Sequence, residues 1–70
     1  MRIRQGHLAV DVNELREITT QMLQGYQYTL FDLSKAETLF VSHTFTNPDV
    51  CYSEAEEHLR IQAQAFVKAA

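Results

Sequence analysis

A single cysteine, Cys51, excludes an intrachain disulfide, and the chain has no paired cysteine or histidine spacing of the kind that frames a zinc knuckle or finger. With only two glycines, no glycine-rich phosphate loop can be drawn. No segment approaches the ~20 apolar residues of a membrane-spanning helix, and the N-terminal stretch MRIRQGHLAV lacks an apolar core of signal-peptide length. Together with one free thiol, these absences set the expectation of a cytoplasmic protein. Basic charge is also in deficit. Six Lys and Arg against nine Asp and Glu leave a formal charge of −3. That argues against non-specific binding to nucleic acid or anionic membrane, because both take their affinity from a basic field. No nucleophile stands with a base and an orienting acid, so the chain reads as non-enzymatic and without a cofactor or metal.

What is present is enough apolar character to fold, 46% of residues, with no repeat, linker or low-complexity stretch, so residues 1–70 read as one α+β domain. A chain this short buries only about 60% of the surface its unfolded form exposes. With disulfides and metal set aside, self-association is the remaining way to add to a thin core.

The segment Tyr26 to Phe45, YQYTLFDLSKAETLFVSHTF, predicts a β-hairpin: two runs rich in Tyr, Thr, Phe and Val flank the polar loop Ser34-Lys35-Ala36-Glu37. With Leu33 opposite Thr38, one face carries Leu30/Val41, Tyr28/His43, Tyr26/Phe45 and Asp32/Leu39. The other carries Gln27/Thr44, Thr29/Ser42, Phe31/Phe40 and Leu33/Thr38. Ahead of it, Arg2 to Val10 predicts a strand interrupted at Gly6. Asp11 or Asn13 then offers a helix cap, Val12, Leu15, Ile18, Met22 and Leu23 recur at helical spacing, and Gly25 is placed to end that helix. After the hairpin, Thr46-Asn47-Pro48-Asp49 reads as a turn, and Ser53-x-x-Glu56 as the capping box of a second helix over Glu54 to Lys68, with Ala55, Leu59, Ala63, Phe66 and Val67 on its apolar stripe.

The expected order is therefore β-α-β-β-α: a three-stranded, mainly antiparallel sheet of order 1-3-2 with two helices on one face. It resembles a ferredoxin-like fold without its last strand. The outer edge of the first strand, at Ile3, Gln5 and His7, is then open to a second copy, so a homodimer is expected.

Phe31, Leu33 and Phe40 form an aromatic and apolar patch on the sheet face away from the helices, which reads either as a cross-strand pair or as a protein-interaction surface. Glu54, Glu56 and Glu57 form an acidic run that suits the helix N-terminus or a basic partner protein. Cys51 reads as a buried plug or, near helical amides, a reactive thiol. Glu54 and His58 sit at the i,i+4 spacing of a helix-surface pair, which a metal could share with Cys51. His43 beside Tyr28 reads as a rim pair or an acid–base couple. The leading expectation is a small regulator or inhibitor that acts on another protein as a homodimer. The alternative is nucleic-acid binding through the open sheet, with Phe31 and Phe40 stacking bases and Arg2 and Arg4 on phosphates.

Overall fold

The computed structural model describes residues 2–69, with side chains described as far as Ala65. Phe66, Val67 and Lys68, which the helical spacing assigns to faces of the last helix, lie outside the described side chains. The strands are β1 (Arg2–Gln5), β2 (Leu8–Arg16), β3 (Leu23–Asp32) and β4 (Glu37–Val41), followed by the helix α1 (Pro48–Ala69). All neighbours pair antiparallel in the order β1-β2-β3-β4. The α+β class holds, but the expected architecture does not: among the described residues there are four strands and one helix instead of three and two, and the sheet order is 1-2-3-4 instead of 1-3-2. With no parallel crossover, the handedness argument behind the 1-3-2 order has nothing to act on.

The difference arises at residues 11–23. Leu8, Val10 and Val12 alternate with Ala9, Asp11 and Asn13, and the strand runs on through Glu14, Leu15 and Arg16, where that alternation lapses, rather than stopping at Val10. A helix there would leave β3 without its long partner. As a strand, β2 pairs with β3 from Leu8↔Asp32 to Arg16↔Leu23. Backbone pairing with burial on one face outweighs a helical spacing of apolar residues that includes β-branched Val12 and Ile18. The predicted helix end is instead a β-turn region. The Glu17 carboxylate accepts from the Thr20 N–H at 2.6 Å and the Thr20 hydroxyl at 2.7 Å, while Glu17 N–H donates to Met22 O at 2.9 Å. Gly6, read as an interruption, divides the first predicted strand into β1 and β2. It takes φ +61° in the two-residue loop Gly6-His7, the left-handed position a tight hairpin requires.

The β3–β4 hairpin is present, and Tyr26 and Phe45 bridge as expected, with N–H···O distances of 2.8 and 2.7 Å. Nearer the turn the register departs. Leu30 faces Phe40, not Val41, and Phe31 faces Thr38, with a bulge between the two that takes up Leu39. Asp32 sets this shift. Its carboxylate oxygen accepts from the Ser34 hydroxyl at 2.6 Å, the Ser34 N–H at 3.0 Å and the Lys35 N–H at 3.3 Å, which starts the turn one residue early at Leu33. These bonds, the Ser34 hydroxyl above all, hold the buried Asp32 carboxyl below its ordinary range. Asp11, bonded by Arg2, and Glu17, bonded by Thr20, are lowered too.

A group whose folded pKa is depressed contributes stability that is complete above its unfolded value, near 4, and is lost as pH falls through the folded one. The urea midpoint is therefore expected to fall as pH drops below about 4. Asp32→Asn, which cannot protonate, should narrow the difference between midpoints at pH 7 and pH 3.

The stretch Thr46–Asp49, read as a turn, is the start of α1. Asn47 caps it, with Oδ1 accepting from the Asp49 N–H at 2.8 Å and its carbonyl from the Cys51 N–H at 3.1 Å. Pro48 takes the first helical position, where its missing N–H costs nothing, and Asp49 suits the positive end. The helix thus begins before the Ser53 capping box. Asn47→Ala should cost about 1 kcal/mol of unfolding free energy in urea titrations.

Cys51, Ala55 and Leu59, four residues apart, pack on Leu8, Val10, Tyr28 and Leu30, with Ile3, Val12, Tyr26, Phe45 and Ala63 around them. The small Cys51 and Ala55 let the helix lie close to the sheet, over β2 and β3 and touching β1. Among the described residues no helix is long and apolar enough to cross a membrane.

Candidate functional site

α1 makes no backbone approach to β4, so the last strand projects past the helix. All five β4 residues are exposed, and three in a row are large and apolar: Leu39, Phe40 (43% exposed) and Val41 (52%). Opposite Leu30, Phe40 stands on the helix side of the sheet. Its ring meets His58 edge-on with centroids 4.7 Å apart, and lies 5.8 Å from the ring of Tyr28.

Tyr28 Oη and His58 Nδ1 are 2.9 Å apart. Burial first, then the Glu54 charge, pushes the Tyr28 phenol up, so it keeps its proton and donates when His58 carries hydrogen on Nε2. This contact fixes which side of α1 faces β4. At 100° per residue, Val50, Glu54, His58 and Ile61 fall within about 80° of arc, and His58 places that arc beside Phe40. Val50 is 48% exposed and Ile61 52%. The result is one flank made of Phe40 and, around the His58 ring, Val50 and Ile61, with Glu54 as its carboxylate, while Val41, opposite Thr29, is exposed on the other face of the same end strand.

The expected aromatic patch does not form. Phe31, opposite Ala9 and Thr38, is on the face away from the helix, half-buried, with the Arg2 guanidinium 5.8 Å from its ring centre. Phe40 is on the other face, because the bulge at Leu39 shifts the alternation by one. Leu33 is in the turn, its N–H donating to His7 O at 2.7 Å. The acidic run also divides. Glu54 borders the β4 flank, whereas Glu56 and Glu57 line a groove with Ile3, Arg4, Gln5 and Arg60 on the β1 side. Of the expected dimer edge, Ile3 packs against the core and Gln5 is exposed on β1, while His7 is in the Gly6-His7 loop. β1 is an edge strand, as expected, although its neighbour is β2.

Cys51 is wholly buried and burial pushes its thiol up, the opposite of activation. No three His, Cys, Asp or Glu side chains among the described residues are grouped to hold a metal ion. His43 does not face Tyr28: that place is taken by Ser42, whose hydroxyl accepts the Tyr28 N–H at 2.9 Å, and His43 stacks on Phe45 at 4.2 Å. Arg2 is held by Asp11 through two bonds of 2.9 and 2.8 Å, so its charge is already met on the open face.

The residues that sequence reasoning missed are Val41, Val50, His58 as an aromatic partner, and Ile61. Val50 and Ile61 were legible as apolar positions off the Cys51–Ala55–Leu59 stripe. Comparison with protein-family models, curated proteins and solved structures finds no match for this chain.

Proposed function

We propose that this chain is a non-enzymatic protein–protein interaction module, a small regulator or inhibitor that works as a homodimer. The carrying observation is the run Leu39, Phe40 and Val41, three consecutive exposed apolar side chains along an end strand, with Val50 and Ile61 exposed on the helix side of Phe40. Exposed apolar groups that are contiguous, rather than scattered, mark surfaces that meet another protein. An end strand adds backbone groups able to extend the sheet. The partner beyond the second copy is a protein with basic character, favoured by the net charge of −3 and by Glu54 at the border of the flank.

Static light scattering over a wide concentration range tests the reading. The wild type should tend toward twice the chain mass of 8.1 kDa. Phe40→Ser should dissociate it, and Phe31→Ser, on the opposite face, should not. A mass of one chain throughout would remove the homodimer.

A further inference from the structure

We infer that the free edge of β1 and the groove between β1 and α1 take up an extended segment of the partner protein as an added strand, with apolar and basic side chains toward the helix and acidic ones on the open face. This rests on the protein-binding reading above and names where the partner, as distinct from the second copy, is held.

The backbone of β1 is ready for such a strand. It pairs with β2 without a bulge, from Arg2↔Asp11 to Gln5↔Leu8. Because the two-residue loop Gly6-His7 closes on Gln5 and Leu8, that pair exchanges both its hydrogen bonds, and by alternation so do Ile3 and Val10. The N–H and C=O of Arg2 and Arg4 therefore point away from β2, along the free edge of the sheet. An antiparallel strand meets them with one residue opposite Arg4 and one opposite Arg2.

A groove lies beside that edge. Ile3 and Gln5 line it from β1, and Glu56, Leu59 and Arg60 from α1, around a volume of about 610 Å³, inside the ~300–1,000 Å³ range of sites that hold a ligand. An added strand sends every second side chain into it. The residue opposite Ile3 falls at a non-hydrogen-bonded position, where facing side chains come closest, and meets Ile3 and Leu59. An apolar side chain fits there.

Charge selects the residues on either side. Glu56 is exposed and makes no ion pair among the described residues, while Glu57 and Arg60, 3.9 Å apart, are a loose and exposed pair. A lysine or arginine on the groove face of the partner strand answers Glu56. On the open face Arg4 donates through Nε to Gly6 O at 2.9 Å and has no carboxylate partner among the described residues, whereas Arg2 is held by Asp11. The residue opposite Arg4 is therefore acidic. The same arginines tell against a second copy in this place. β1 paired with itself about Ile3 sets Arg2 of one copy opposite Arg4 of the other, twice, and like charges directly opposite oppose pairing.

The test is a pair of capped peptides of identical composition, titrated into the isotope-labelled full chain at low ionic strength and followed by amide spectra. One has the central order lysine, glutamate, valine, glutamate, lysine, so that strand alternation puts valine and both lysines on one face and both glutamates on the other. The second exchanges every lysine with a glutamate. The first should shift Arg2 to Gln5 and the α1 residues Ser53 to Arg60, and the second should bind about tenfold more weakly. The variant R4E/E56K, changed at two exposed positions and checked for folding by circular dichroism, should reverse that preference. Failure of the first peptide to bind at millimolar concentration, equal affinity for the two peptides in the wild type, or shifts that fall on β4 instead would each overturn the β1 site. None of these results touches the mass found by light scattering, so the homodimer reading stands or falls separately; a monomer that still takes the first peptide selectively would remove the dimer and support this site.

Discussion

Gly25→Ala is expected to cost at least about 3 kcal/mol of unfolding free energy, a large share of what a chain this size holds. Gly25 is buried in β3, has φ +156°, and lies where the chain returns after β4. A Cβ there would stand 2.6 Å from Thr44 Cγ2 and 2.7 Å from the Phe45 carbonyl oxygen. The threonine methyl can rotate away, but the carbonyl cannot yield cheaply, because it accepts the Tyr26 N–H at 2.8 Å in the bridge that closes the hairpin. Relief must come from breaking that bridge or moving the Thr44–Phe45 segment off the sheet. Gly6→Ala is the contrast: nothing lies within 4 Å of its Cβ position, so only the left-handed backbone resists, at about 1 kcal/mol. Urea titrations of the two variants side by side separate steric approach from backbone conformation. Similar losses for both would mean that Phe45 does not lie against Gly25.

Leu30→Ala is the second large effect, about 2–5 kcal/mol. Leu30 is buried at the centre of the sheet, between Val10 on β2 and Phe40 on β4, beneath the helix stripe. Truncation removes the apolar area and leaves a cavity that the rigid strand pair cannot collapse. Stability of folded chains runs at about 0.05–0.15 kcal/mol per residue, so for this domain the variant approaches complete loss of the native state. Ile61→Ala should behave differently. Ile61 is exposed on the helix flank, so its removal should leave the urea midpoint of dilute protein nearly unchanged.

The contrast between the two halves of the chain shows what periodicity conveys and what it does not. The Tyr26–Phe45 hairpin was legible because β-branched and aromatic residues crowd both arms and a polar loop parts them. The C-terminal helix was legible from its alanine-rich stripe, though its start was missed because Asn47-Pro48-Asp49 serves equally as a turn and as a cap with proline in the first helical position. Residues 12–23 satisfied a helical spacing locally, and only the need of β3 for a long partner on its other side decides for a strand. No single-sequence period carries that non-local pairing. Gly25 was read as a helix terminator for its conformational freedom, whereas its function is to admit the Phe45 backbone.

Register was the finer loss. Asp32 draws the turn back by one residue through its bonds to Ser34 and Lys35, and Leu39 bulges to absorb the slip. With a second one-residue offset between the Tyr26–Phe45 bridge and the Thr29–Val41 pair, that displacement parts Phe31 from Phe40 and turns Phe40 toward His58. The two-aromatic platform that base stacking would need is therefore not formed, and the apolar surface lies instead along the β4 side of the molecule. Phe40 was named from the sequence, but its neighbours were not, since they depend on a bulge and on which arc of the helix faces the end strand.

The claim that this flank is where copies of the chain meet is tested most directly by amide spectra of isotope-labelled protein over a dilution series. The account predicts concentration-dependent shifts at Leu39, Phe40 and Val41, extending to His58, with β1 and the exposed Ile18 and Met22 of the β2–β3 turn unchanged. Shifts confined to β1 or to that turn, with β4 unmoved, would contradict it.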